Sequence, residues 1–213
     1  MPRQGTYSVV WFKRDLRLHD HQPLRQALEH GPVLCLYVVE PSLWAEPDAA
    51  RQHYGFLLES LRDLYRDLRQ RGGHLQVVTG ELTEFLGRLH HSAPFARLYS
   101  HQETGNGLSY RRDMAVKRWC QAHAVTWHEV PQFGVVRRLA ERNHWQAHWE
   151  GFMAQAVAAT PAPGRRMGSR SGSSQMAAAN SANSAKGGTR RESQEDGCWE
   201  EGRVGMGESM KWW

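Results

Sequence analysis

Short apolar runs rich in β-branched and aromatic residues alternate with longer helical patterns through the first two thirds of the chain, and that alternation leaves few folds open. Residues 7–12 (YSVVWF), 33–39 (VLCLYVV), 74–79 (HLQVVT), 97–100 (RLYS) and 125–130 (VTWHEV) read as five strands. Residues 23–30 read as a short helix, with Pro23 in its first turn and Gly31-Pro32 ending it. Residues 49–71 form a long amphipathic pattern whose apolar face is Tyr54, Leu57, Leu58, Leu61, Leu64, Tyr65 and Leu68, stopped at Gly72-Gly73. Two more helices are expected over 81–91 and 108–123. Strands that are continuously apolar are buried on both faces, and parallel crossovers are right-handed. The pattern therefore predicts an α/β fold: a Rossmann-like, doubly wound five-stranded parallel sheet with helices on both faces.

A second composition begins near Phe152. No Leu, Phe or Tyr follows that residue, and Gly, Ser and Ala dominate, as in Gly168-Ser169-Arg170-Ser171-Gly172-Ser173-Ser174. Such a segment buries too little apolar surface to offset the entropy of ordering it. The sequence divides into an α/β domain over 6–136, the start of a linker over 137–153 and a disordered tail over 154–213. The tail's abrupt onset fits either a flexible extension or out-of-frame coding sequence.

Composition narrows the chemistry. A formal net charge of +5 is mild and unclustered, so it permits nucleic-acid contact without requiring it. Cys35, Cys120 and Cys198 are odd in number and far apart, which argues against a disulfide framework and a zinc site. No Ser-His-Asp, Cys-His or paired-carboxylate arrangement stands out. The apolar run near the start is too short for a signal core or membrane span, so a monomer in a reducing cytoplasm is the expectation. GxGxxG after the first strand and GxxxxGK[ST] are both absent.

Ligands of such sheets bind beyond the carboxyl ends of the strands, where strand order reverses. If the first strand is central, the flanking loops are Lys13-Arg14-Asp15-Leu16-Arg17 and His101-Gln102-Glu103-Thr104-Gly105-Asn106-Gly107. The glycines of the second loop allow close backbone approach.

The run Val10-Trp11-Phe12-Lys13-Arg14-Asp15-Leu16-Arg17-Leu18-His19-Asp20 resembles the opening of the DNA photolyase and cryptochrome family. Leu36-Tyr37-Val38-Val39-Glu40-Pro41, the stretch 51–80 and the stretch 100–113 (SHQETGNGLSYRRD) are similar to its following elements. The likeness runs through Gln132-Phe133-Gly134-Val135-Val136 and fades around Phe152. It covers one of that family's two domains, the N-terminal antenna domain. The resemblance implies a light-harvesting chromophore here: a folate, held largely between the domains, or a deazaflavin or flavin, held mostly within the α/β domain. In intact members FAD, the damaged DNA and an electron-transferring tryptophan chain belong to the second domain, so the chain by itself is expected to be without catalysis. A stand-alone flavin- or nucleotide-binding module, or an inert fragment of a disrupted photolyase gene, are the alternatives.

The candidate cofactor-binding residues are Lys13, Arg14, Asp15, Arg17, Glu40, His101 and Glu103. Lys13 and Arg14 would reach a phosphate or ring oxygen by charge-assisted bonds, with a solvated surface as the competing reading. Asp15 and Arg17 either orient a ligand or form ion pairs that shape the turn, with Asp113 or Arg112 as further partners. Glu40 would accept from a ribityl or ring N–H. His101 and Glu103 either face the ligand or cap the next helix. Arg137, Arg138 and Arg142 read as a solvated helix face before a phosphate patch. Trp145 and Trp149, one turn apart, read as part of an amphipathic linker helix before an electron-transfer pair.

Overall fold

The computed structural model describes residues 7–137, 139, 141–164 and 167. Five strands form one sheet: β1 (Ser8–Phe12), β2 (Val33–Val39), β3 (Leu75–Thr79), β4 (Arg97–His101) and β5 (Thr126–Val130). All pairings are parallel and the spatial order is β3-β2-β1-β4-β5. β1 is therefore central and strand order reverses between β1 and β4. The helices are α1 (Gln22–Glu29), α2 (Pro41–Trp44), α3 (Arg51–Gln70), α4 (Leu82–Ser92), α5 (Gly107–Ala122) and α6 (Trp145–Met153).

Each central strand is apolar throughout because it faces two cores. Val10 and Phe12 of β1 point to one side, where they meet α1 and α3 through Leu24, Leu57, Leu61, Leu64 and Leu68. Val9 and Trp11 point to the other, against Leu82, Phe85, Leu86 and Leu89 of α4 and Val116 and Cys120 of α5. The four buried leucines of α3 recur at spacings of four, three and four, the stripe of an amphipathic helix laid on a sheet. β3 and β5 are edge strands and only half-buried. The α3 stop needs Gly72, which takes φ +77°, a region that favours glycine.

Packed chain continues past the compositional break at Phe152. Ala158 accepts from the Asp20 backbone N–H and donates to Asp20 Oδ1, both at 3.0 Å. Met167 is fully buried in the α1–α3 core, and its carbonyl accepts from His74 N–H at 2.9 Å. These contacts extend the packed edge beyond residue 153, because a few small or flexible side chains can fill surface gaps without long apolar runs. The rest of the tail expectation, 168–213, lies outside the described residues, as does Arg138. Met167→Ala is expected to cost roughly 2 kcal/mol, read as a lower urea midpoint. An unchanged midpoint would show that Met167 adds nothing to the core.

Candidate functional site

The reversal between β1 and β4 brings two polar clusters to the carboxyl edge of the sheet. The first is buried and centred on Asp15. Its Oδ1 accepts the Lys13 backbone N–H at 2.7 Å, and its Oδ2 accepts from His101 Nδ1, at the end of β4. His21 caps α1: its Nδ1 accepts the Leu24 backbone N–H at 3.1 Å. A neutral ring then carries its proton on Nε2. That nitrogen lies 2.8 Å from Asp15 Oδ2, but off the line of a good hydrogen bond.

Burial alone would raise the Asp15 pKa. The hydrogen bond from His101, the close approach of His21 Nε2 and the charges of both rings outweigh it and hold the carboxyl well below the usual range. Burial is also the main influence on His101, holding it below its ordinary value against the pull of Asp15. The donor atoms of Asp15, His21 and His101 lie within 4.8 Å of one another, which is metal-ligand spacing. His21 Nδ1 is occupied as a cap acceptor, however, so the proton sits on the nitrogen a cation would need. The cluster is a carboxylate held between two imidazoles.

The second cluster is an ion network around Arg112 of α5. Its guanidinium reaches Glu40 at 3.0 Å, Asp113 at 3.0 Å, and Glu103. Lys13 Nζ sits 3.0 Å from Asp113 and 4.1 Å from the centre of the Trp11 ring. Arg137 pairs with Glu129 at 3.2 Å, and Arg14 with Glu103 at 3.0 Å. Four cations and four carboxylates thus balance across the ends of β1, β2, β4 and β5. Burial works against the Arg112 charge, but Glu103, Glu40 and Asp113 more than compensate and raise its pKa. Burial likewise lowers Lys13 and raises Glu40, each opposed by its ion-pair partner.

These contacts place the candidate residues differently from a reading in which Lys13 and Arg14 are mobile charges. The Lys13 side chain is 3% exposed and committed to Asp113; Arg14 is exposed but bonded to Glu103. Glu40 is buried, accepting from Arg112 and from the Leu82 N–H at the start of α4. Asp15 pairs with histidines, while Arg17 donates to the carbonyls of His19 and Asp20. The cap of α5 is Asn106, not His101 or Glu103. Arg137 lies on a loop and belongs to the ion network, not to a solvated helix face. Trp145 and Trp149 stack at 6.2 Å on α6 and stay half-exposed, with Trp149 against Gly134.

Sequence reasoning missed His21, although its place one residue before Gln22-Pro23 is the signal of a helix cap. Glu129 carried no local signal, because its partners come from distant loops.

Beside the first cluster a cleft of about 680 Å³ opens along the ends of β4 and β5. Arg17, Gln22, Gln26, His101, Gln102 and Arg137 supply its polar wall; Val130, Val136, Phe152 and Met153 are among its apolar lining. Of the candidates, Arg17 and His101 face it.

The family model for DNA photolyase matches residues 8–141. The chain belongs to the DNA photolyase family. Cryptochrome DASH of Gloeobacter violaceus is 36% identical over 113 residues, which is 50% of this chain and 23% of that protein. Cryptochrome-2 of Gallus gallus is 40% identical over 89 residues, 41% of this chain and 15% of that one. The chain thus spans less than a quarter of these curated relatives. Among solved structures, the class III photolyase of Agrobacterium tumefaciens superposes with TM-score 0.63 at 22% identity, covering 82% of this chain and 39% of its own. The archaeal photolyase of Sulfolobus tokodaii, solved with two FAD molecules, gives 0.60 at 19%, covering 73% and 37%. At that identity the structural likeness speaks for the fold. It matches one α/β domain of those larger photolyases. Among the described residues no helix is long and apolar enough to cross a membrane.

Proposed function

We propose that this photolyase-type α/β domain binds a flavin or deazaflavin chromophore in the cleft beside His101 and serves light harvesting. The observation that carries the reading is the cleft itself. It lies at the carboxyl edge next to the strand reversal, the general ligand position of such sheets. Its 680 Å³ falls within the usual range for small-molecule sites, and it combines apolar walls with a few convergent polar groups. The Sulfolobus tokodaii photolyase is described as implying a novel light-harvesting cofactor, with FAD bound, which favours a flavin over a folate here. In a longer polypeptide, excitation gathered at this site would pass to the FAD that repairs DNA in photolyases or signals in cryptochromes.

Within the candidate set, Arg17 is the cation for an anionic group. Its side chain is 39% exposed at the cleft, whereas Lys13 is sealed in an ion pair. Titrating flavin mononucleotide into the protein should quench flavin fluorescence saturably. Arg17→Ala should weaken binding about tenfold, the loss of one charge-assisted hydrogen bond. Absence of saturable binding by the unaltered protein would reject the reading.

A further inference from the structure

We propose that His101 is the hydrogen-bond acceptor that reads an imide N–H of the cleft's ligand, with Asp15 as the positioning residue that fixes its tautomer. The inference rests on the flavin reading and adds which atom of the protein selects the ligand.

The argument starts from Asp15. Its carboxylate is fully buried and has no proton to give, so the hydrogen on the His101–Asp15 bond belongs to His101 Nδ1. A neutral imidazole has only one such hydrogen, and Nε2 is left with a lone pair. His101 lines the cleft, and its Nδ1 edge is turned inward to Asp15. Nε2 lies on the ring edge away from that bond, on a side chain that is 4% exposed. Among the described residues no donor to that nitrogen is seen, and His21 Nε2, not His101 Nε2, is the buried side-chain nitrogen left without a partner.

His21 stiffens the arrangement from the other side. Its ring centre lies 4.6 Å from that of His101, and its cap bond to Leu24 ties it to the first turn of α1. The His101 ring is thus held between a carboxylate and a second ring, with little freedom to rotate. The carboxamides of Gln22, Gln26 and Gln102 line the same cleft, and each can donate or accept. An acceptor beside amide donors complements a carbonyl, N–H, carbonyl edge. The isoalloxazine and deazaflavin ring systems carry that edge at N3.

The arrangement makes binding depend on pH. Protonation of His101 Nε2 turns the acceptor into a donor, which opposes the ligand N–H. The charged and titratable groups around the ring and its side of the cleft are Asp15, His21, Arg17 and Asp20 from the segment after β1. Arg137 and His148 lie on the cleft's other walls. Burial keeps His101 neutral near pH 7, so the acceptor is present there and is lost on the acid side.

The test compares riboflavin with N3-methylriboflavin by fluorescence titration between pH 5 and 8. The unaltered protein should bind riboflavin at least about tenfold more tightly than its N3-methyl derivative at pH 7.5. Riboflavin affinity should fall on the acid side, and the N3-methyl derivative should show no such fall. His101→Phe should erase both the preference and the acid limb. Asp15→Asn, which removes the charge that holds the His101 pKa up, should move the acid limb to lower pH. A merely structural role for Asp15 would not do that. Should Asp15→Asn fail to fold, the comparison of the two flavins and the His101→Phe titration still decide the matter. Equal binding of both flavins, or an unchanged preference in His101→Phe, overturns the inference and leaves the flavin reading intact. No binding of either flavin overturns both.

Discussion

Replacing Arg112 with alanine is expected to lower the unfolding free energy by about 3–5 kcal/mol, because it leaves buried carboxylates without their shared cation. Glu40, Glu103 and Asp113 all contact its guanidinium, and their side chains are 3%, 8% and 8% exposed. Lys13, Arg137 and Arg14 remain beside Asp113 and Glu103, but Glu40 is left with only the Leu82 N–H. The sign of the pH dependence follows. In the variant the buried carboxyls have folded pKa values raised above their unfolded ones, so the folded state binds more protons. The deficit relative to the unaltered protein should therefore shrink as pH falls from 7 towards 5. Arg112→Lys should recover part of the loss, since an ammonium restores the charge but not the forked geometry. Urea unfolding at pH 7 and pH 5 measures all three. A loss under about 1 kcal/mol at pH 7 would mean that solvent already screens the network.

Asp15→Ala should cost about 3 kcal/mol at pH 7, through lost bonds to His101 and the Lys13 backbone and two buried imidazoles left without their carboxylate. Two pH windows separate this from a packing defect. The folded His101 pKa is lowered, so its contribution is lost as pH falls below about 6.5, where the unfolded ring takes up its proton first. The folded Asp15 pKa is depressed, so its contribution is fully present above the unfolded value near 3.9 and is lost below it. The variant should lack the second window. It should keep the first, to which His74, His90 and His128, each lowered mainly by burial, also contribute. Thermal unfolding from pH 3 to 7 reads both windows. A parallel offset at every pH would assign the loss to packing alone.

Much of the fold is legible in the chain because local chemistry dictates it. The expected span of β2 is the observed one, and each of the other strands differs by one residue at one end. Apolar continuity marks a strand buried on both faces, and the leucine spacing of 49–71 marks a helix with one buried side. α2 was not foreseen: four residues after Pro41 are too few to show a period. The edge strands are less buried than their composition suggests, because an apolar sequence does not say which strand will stand last in the sheet.

The site was legible only as a place. The chain order of strands and helices points to the loops after β1 and β4, and those loops supply Lys13, Arg14, Asp15 and Glu103, with His101 at the end of β4, to the two polar clusters. What each residue does there depends on partners about one hundred residues away. Lys13 meets Asp113, Glu40 meets Arg112 and Asp15 meets His101 across separations of 100, 72 and 86 residues. No local pattern distinguishes a lysine that will be buried in an ion pair from one left free for a ligand. The sequence by itself determined the α/β layers and pointed to the carboxyl edge of the sheet, since these follow from short-range periodicity and the handedness of crossovers, while the order of the strands came from the assembled sheet. The tertiary structure alone decided which charges cancel and which histidines share the buried carboxylate of Asp15, since burial and pairing are properties of the assembled edge.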